Sequence, residues 1–425
     1  MLRIRVENFS CIKKADLTFG RLTVLIGPQA SGKSVLSKLT YFFLDLISEQ
    51  YERLLDQKSF EIFAEDIKGL FSDWFPVAAW GNNKFKIEFE LGEYKLRLTR
   101  TSYDESIRNN LRLWTSPLVK EHYKRTAELA RSLRQKASRR SSQEPFLDVE
   151  VGYEVREAAT KLLQEDLGEY FIHHQTFIPA GRSFFTTLGR AFMAFDQGRT
   201  LDPITIRFGR LYSSFQAELR HFSTRRGAPS VEEELGLILG GAIIWEGDRP
   251  ALKSIDGRVV PFSALSSGQQ ELLPLVLALS SVGRVSARPR QRSHLLYIEE
   301  PEAHLFPSAQ SALIQRLAAL VNGPSSQRRL AITTHSPYVL SKINNLIKAG
   351  ALAGRLNSDK LQLLNKIVPD VYYIRPGDAR AYAIVNGDLH DIIDDDGLIA
   401  ADYLDSISGE IGQEFSSLLD LEFAE

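Results

Sequence analysis

The run GPQASGKS at Gly27–Ser34 constrains this chain more than any other segment. It holds two glycines, a lysine and a hydroxyl at the spacing G-x-x-x-x-G-K-[ST]. The apolar run LTVLIG leads into it and the helical pattern SVLSKLTYFFLDLI follows, with Leu36, Leu39, Phe43, Leu46 and Ile47 on one side. Gly27 and Gly32 let backbone N–H groups curl around an anion, and the start of the helix adds partial positive charge. Pro28, Gln29, Ala30 and Ser31 fill the loop between them. Lys33 is placed to reach the β- and γ-phosphates of a nucleotide, and Ser34 to ligate Mg²⁺.

The remainder is read as elements around that loop. Residues 2–26 form three short strands, and KFKIEFELGEYKLRLTR at 84–100 alternates on both sides of Gly92 as a β-hairpin does. From about 117 to 170 the chain is helical and polar, with Lys120, Lys124, Arg125, Arg131, Arg134, Lys136, Arg139 and Arg140 opposed only by Glu121 and Glu128. This cluster suits a DNA backbone or, equally, an ordinary solvated helix face. A second polar stretch covers about 183–235. Strands AIIWEG and RVVPF, a helix at about 269–282, the strand LLYI, a helix near 308–321 and the strand LAITT complete the pattern. Strand and helix in alternation predict an α/β fold with a largely parallel sheet.

Two further strand ends carry chemistry. LLYIEEPEAHLFP delivers Glu299 and Glu300 to the carboxyl edge of a buried strand, where parallel sheets bind ligands. In a protein with the 27–34 loop, one acid holds the Mg²⁺ shell and the next orients or deprotonates water, so Glu299 is assigned to metal and Glu300 to water. LAITTHSP brings His335 to the same kind of edge, where an imidazole can hydrogen-bond a phosphate or the attacking water. FSALSSGQQELLPLV places Ser266, Ser267, Gly268 and Gln269 at the start of an apolar helix, either a plain serine cap or a second anion-binding helix start.

GPQASGKS, LSSGQQ, LLYIEEPE and TTHS, in that order, resemble the Walker A, signature, Walker B and switch-histidine motifs of ABC-type ATPases. RIRVENFSCIKKADLTF and EEPEAHLFP look most like the RecF, SMC and OLD-nuclease branch of those P-loop proteins. FIPAGRSFF at 177–185 and the carboxyl-terminal DDDGLIAADYLDSISGEIGQEFSSLLDLE resemble stand-alone ATPase subunits of anti-phage defence, of Septu and retron-associated type. The resemblance implies one ABC-type head over 1–425, with a mixed sheet core, an antiparallel β lobe, helical insertions at 106–170 (basic) and 190–235, and an acidic segment at 388–425. It implies ATP and Mg²⁺ as cofactors and ATP hydrolysis. It also implies a head-to-tail homodimer, or a higher oligomer of dimers, in which Ser266 and Gly268 touch the γ-phosphate held by the partner's Lys33. Gln175 falls where the family places a glutamine that senses Mg²⁺, and a plain loop glutamine fits equally. Ser267 stands where transporters have Gly, and Glu299 where Asp is usual.

For function this implies a regulatory subunit of an antiviral defence system, closing on ATP to control a separate effector, expected to be a nuclease. The alternative is a DNA repair or recombination ATPase of RecF or SMC type that clamps duplex DNA at Lys120–Arg140. Composition narrows the setting. Lys+Arg 52 against Asp+Glu 53 excludes a polybasic coat, and a lone Cys11 excludes an internal disulfide and points to the cytoplasm. The longest apolar stretch, Leu272–Leu279, is far short of the roughly 20 residues of a membrane span, so no membrane partner is expected. The acids Asp391, Asp394, Asp395, Asp396, Asp402 and Asp405 lack apolar strands to hold them as a nuclease site, so they read as a solvated or partner-facing tail.

Overall fold

A computed structural model describes residues 1–55, 58–81, 84–101, 111–140, 147–189, 192, 201–223, 239–246, 249–285, 293–322, 327–400 and 413–417. In chain order the elements are β1 (Leu2–Phe9), β2 (Ile12–Thr18), β3 (Leu22–Ile26), α1 (Lys33–Leu55), α2 (Phe60–Trp74), β4 (Lys86–Leu91), β5 (Tyr94–Arg100) and β6 (Leu111–Thr115). Then come α3 (Pro117–Arg140), α4 (Leu147–Leu167), β7 (His174–Ile178), α5 (Ser183–Leu188), α6 (Pro203–Ser223), β8 (Gly241–Glu246), β9 (Arg249–Ser254) and β10 (Val259–Pro261). Last are α7 (Ser267–Val285), β11 (His294–Glu299), α8 (Pro307–Asn322), β12 (Arg328–Thr334), α9 (Pro337–Ala353), α10 (Ser358–Ile367), β13 (Ala379–Val385) and β14 (Asp388–Asp391).

These elements gather in two compact units that interleave along the chain. The first comprises Met1–Phe19, Pro28–Gln175 and Ile384–His390; the second comprises Gly20–Gly27, Thr176–Ala383 and Asp391–Glu425. The segment 106–170 holds strand β6 as well as α3 and α4, and 388–425 opens with β14.

The first unit is antiparallel except where β14 pairs parallel with β2 (Asp388↔Lys14). β1 pairs with β2 (Ile4↔Leu17) and with β4 (Ile4↔Phe89), and β4 and β5 form the expected hairpin, which β6 extends. Gly92 takes φ +59° at the hairpin turn, a conformation that glycine adopts without a Cβ penalty. The alternation of LRIRVENF buries Leu2, Ile4 and Val6 on one face. Phe43 of α1 stacks on Phe89 of β4 at 5.5 Å, and Phe42 meets Phe71 of α2 edge-on at 5.6 Å. Helix α2 has no counterpart in the sequence reading, although Phe63, Ile67 and Phe71 recur at helical spacing and are buried.

The second unit holds the parallel strands in the order β13-β3-β12-β11, with β7 beside β11. Every residue of β3 is buried, as expected of a strand covered on both faces. A separate antiparallel sheet joins β8, β9 and β10. The sheet content is therefore mixed, with a parallel core, antiparallel β parts and helical insertions, the architecture expected of an ABC-type ATPase head. Asp391 ends β14, a polar strand of sequence DLHD, and accepts a hydrogen bond from Ile393 N at 3.0 Å. Asp402 and Asp405 lie outside the described residues. Among the described residues no helix is long and apolar enough to cross a membrane.

Candidate functional site

Register places the strand-end residues. In the second unit Ile26 of β3 aligns with Thr334 of β12, and Thr333 with Glu299 of β11, all parallel. Gly27, Glu299, Glu300 and His335 thus sit at the carboxyl ends of three adjacent strands, the edge where α/β sheets take ligands. Gly27 has φ +153° and ends β3; Pro28–Ser34 belong to the first unit.

The loop gets its form from backbone conformation. Gly32 has φ +109°, and a Cβ there would lie 2.3 Å from Ile12 Cδ1 and 3.0 Å from Cys11 Sγ. Ala30 is left-handed at φ +59°. Lys33 is buried at 5% exposure, and its Nζ donates to Pro28 O at 2.8 Å, folding back over its own loop. Ser34 is half-buried in the first turn of α1, and the Ser31 hydroxyl is buried without a hydrogen-bond partner. Pro28, Gln29 and Ala30 are exposed.

The acidic strand end is held by side chains. Glu299 is 6% exposed; its Oε2 accepts from Ala180 N at 3.2 Å and its Oε1 is buried without a partner, as suits a carboxylate that a cation completes. Glu300 is more exposed and left-handed at φ +43°, and its N–H donates to Thr333 O at 2.9 Å. His335 Nε2 lies 3.2 Å from Glu300 Oε1. Glu302 accepts from Thr334 Oγ1 at 2.6 Å and from His335 N at 2.8 Å, so it sets the backbone that carries the histidine. Ser336 caps α9 and Pro337 opens it.

Arg182, which the sequence reading passed over inside FIPAGRSFF, is the organiser of this edge. It is fully buried and donates through Nη1 to Glu299 O at 2.7 Å and Pro179 O at 3.1 Å, and through Nη2 to Glu300 O at 3.0 Å. Its Nε donates to Glu271 O at 2.9 Å, and Glu271 in turn accepts from the Arg182 and Ser183 N–H groups at 2.8 and 3.0 Å. Burial pushes the guanidinium pKa down, and Glu271, Glu302, Glu299 and Glu300 oppose that shift. One arginine thereby ties the first turns of α7 to the acidic strand end.

The signature segment forms a reciprocal cap. Ser266 Oγ accepts from Gln269 N at 3.4 Å while Gln269 Oε1 accepts from Ser266 N at 3.2 Å, and Gln269 Nε2 donates to Leu239 O at 2.9 Å. Ser266 and Ser267 are exposed. Gly268 has no space for a side chain, because a Cβ would stand 2.8 Å from His304 O. Gln175 lies in the first unit and donates from Nε2 to Tyr41 O of α1 at 3.0 Å, with Oε1 buried and unpartnered.

The described strands define an α/β protein with Gly27, two acids and a histidine at the carboxyl edge of its parallel strands, and comparison with known proteins adds a match to an ATPase family over part of the chain. A family described as AAA ATPase domain matches residues 195–340, which include LSSGQQ, the acidic strand end and His335 but not the 27–34 loop. Solved structures with similarity include an SMC head bound to the C-terminal winged-helix domain of ScpA (12% identity, 92% of this chain and 96% of that chain, TM-score 0.41). The SMC head domain of Thermotoga maritima gives 13% identity over 92% of this chain and 98% of that chain, at a TM-score of 0.36. An SMC head of Pyrococcus furiosus with an extended coiled coil, bound to the C-terminal domain of ScpA, gives 12% identity, coverages of 96% and 98%, and a TM-score of 0.35. No curated protein matches the chain significantly.

Proposed function

We propose that the protein is an ATP-binding and ATP-hydrolysing switch of SMC or RecF type, in which two copies pair head to tail on ATP. The observation that carries this reading is the parallel register that sets Gly27, Glu299, Glu300 and His335 at the ends of three neighbouring strands. Gly27–Ser34 hold the phosphates, with Lys33 leaving Pro28 O to meet them. Glu299 would hold Mg²⁺, a role that its unpartnered Oε1 fits, and the Ser34 hydroxyl is the other ligand that the motif supplies; the ion would neutralise charge on phosphate oxygens. Glu300 orients a water and accepts its proton, and His335 fixes the Glu300 carboxylate through Nε2. Gln175, anchored on α1, reports the state of that helix. The exposed Ser266 and Ser267 with the half-buried Gly268 and Gln269 form the cap offered to the partner's nucleotide, since a helix start favours anions.

Closure of such a pair acts on DNA or on a bound protein by shifting the population toward the paired state. The finer reading, control of a separate nuclease in phage defence, rests on the resemblance of FIPAGRSFF and the carboxyl-terminal segment. Its test is plaque formation on cells carrying the chain with its neighbouring genes, where Glu300→Gln must abolish protection.

For the ATPase reading, Lys33→Ala is expected to weaken ATP binding about a hundredfold, as loss of a charged hydrogen-bond partner worth about 3 kcal/mol. Glu300→Gln keeps binding and accumulates an ATP-bound dimer by light scattering. Normal hydrolysis by the Glu300→Gln protein removes Glu300 from the role of base.

A further inference from the structure

A cavity of about 520 Å³ opens in the first unit between the start of α2 and one face of α3, with no part in the nucleotide reading above. Five cationic side chains line it, Lys58, Lys120, Lys124, Arg131 and Arg134, against one carboxylate, Glu61. At roughly 100° per residue, Lys120, Lys124, Ala127, Arg131 and Arg134 fall within an arc of about 80° on α3. The small Ala127 and Ala130 leave the room between them that larger side chains would fill.

The lining is partly fixed in place. Lys58 Nζ pairs with Asp66 at 3.2 Å, and Lys120 Nζ sits 5.9 Å from the centre of the Phe60 ring. Tyr123 closes the floor, its hydroxyl donating to Lys58 O at 3.0 Å and its ring 5.4 Å from Phe60. Lys124 and Arg131 are exposed, and no described carboxylate pairs with either. The structure therefore concentrates several positive charges in a concavity whose described lining holds one carboxylate, Glu61, with Asp66 outside it pairing Lys58.

We propose that this cavity binds a compact small molecule bearing two or more linked phosphate groups, such as an oligophosphate or the di- or triphosphate of a nucleotide. Its volume lies in the ordinary range for small-ligand sites, roughly 300–1,000 Å³. A duplex is too wide to enter it. Glu121 and Glu128 flank the stripe about 80–100° round the helix, so the positive field is focused in the cavity rather than spread along a surface, as a long polyanion requires. Linked phosphates match the row of cations, with Lys124 and Arg131 about two turns apart on the helix.

Inorganic tripolyphosphate, titrated calorimetrically into the full chain carrying Lys33→Ala, tests the site without contribution from the 27–34 loop. Failure here leaves the ATPase reading intact, and failure of that reading leaves this one intact. The expected result is saturable one-to-one binding at about 150 mM salt, weakened at least about tenfold by Lys124→Glu with Arg131→Glu and unchanged by Lys136→Glu on the opposite face. Ala127→Phe, which adds bulk without charge, is expected to weaken binding about as much, and circular dichroism verifies folding of each variant. Absence of saturable binding, or binding indifferent to these substitutions, overturns the proposal. So does tighter, equally substitution-sensitive binding of a 20-nucleotide oligo-dT, which identifies a nucleic-acid surface instead.

Discussion

Two turns that leave strands in this protein are built by different means. The loop after β3 takes its form from backbone conformation: left-handed Ala30 and Gly32, and no room for a Cβ beside Ile12. The turn after β11 takes its form from a buried ion network: Arg182 reaching the Glu299 and Glu300 carbonyls, Glu271 gripping Arg182, and Glu302 gripping Thr334 and His335. A backbone-built turn is local and contiguous, so a short motif contains it. A network-built turn draws on residues from distant parts of the chain and fails as a unit when one member is removed.

That contrast can be broken at the arginine. Arg182→Met leaves Glu271, 3% exposed, without its counter-charge and leaves two strand-end carbonyls without a donor. A loss of about 3–5 kcal/mol in urea unfolding is expected. Arg182→Lys recovers only part of it, since an ammonium cannot reproduce the planar fork. A loss under about 1 kcal/mol would remove the network as the source of the turn's shape.

The unit that carries the loop offers a different kind of buried titratable group. His122 on α3 is fully buried, and burial pushes its pKa down to about 4, with Asp166 opposing and Arg125 adding. The unfolded chain, with a histidine near 6.5, binds a proton between those values that the folded chain does not. Stability is thus unaffected by this group above about pH 6.5 and falls as pH drops toward 4, by about 3 kcal/mol in all. The urea midpoint of His122→Gln should follow pH less steeply over that window; an unchanged slope assigns the acid sensitivity elsewhere.

The backbone-built turn is expected to be the less costly to disturb. Gly32→Ala forces an L-residue to φ +109° against Ile12, for about 1–3 kcal/mol by thermal unfolding, and also weakens ATP binding. The smallest effect belongs to the exposed cap: Ser266→Ala removes one half of the reciprocal pair with Gln269, at about 1 kcal/mol. Should Gly32→Ala prove costlier than Arg182→Met, the distinction between the two turns would be reversed.

The same contrast explains what could be read ahead of the structure. Gly27–Ser34, the Gly92 hairpin and the acids at 299 and 300 are each specified within a few neighbouring residues, and all were legible. Arg182 was not, because its partners Glu271 and Glu299 lie 89 and 117 residues away. Its motif was visible only as a likeness to other sequences. Strand β13, a short apolar run, gives no period that separates strand from helix. Helix α2 follows the right spacing, with Phe63, Ile67 and Phe71 buried, but its apolar stripe is interrupted by charged residues on the other faces. The basic stretch of α3 read as one broad field, whereas its helical wheel divides it, with Lys136 facing away from Lys124 and Arg131.

Gly268 has a mechanical consequence. Its Cα stands against the His304 carbonyl with no side chain between, and the turn from Glu300 to Leu305 is closed by its own backbone hydrogen bonds. Rotamers, which soften most contacts between elements, are missing from this one. A load on the exposed end of α7 is therefore passed to the carboxylate-bearing turn as rigid displacement, with little slack to absorb it.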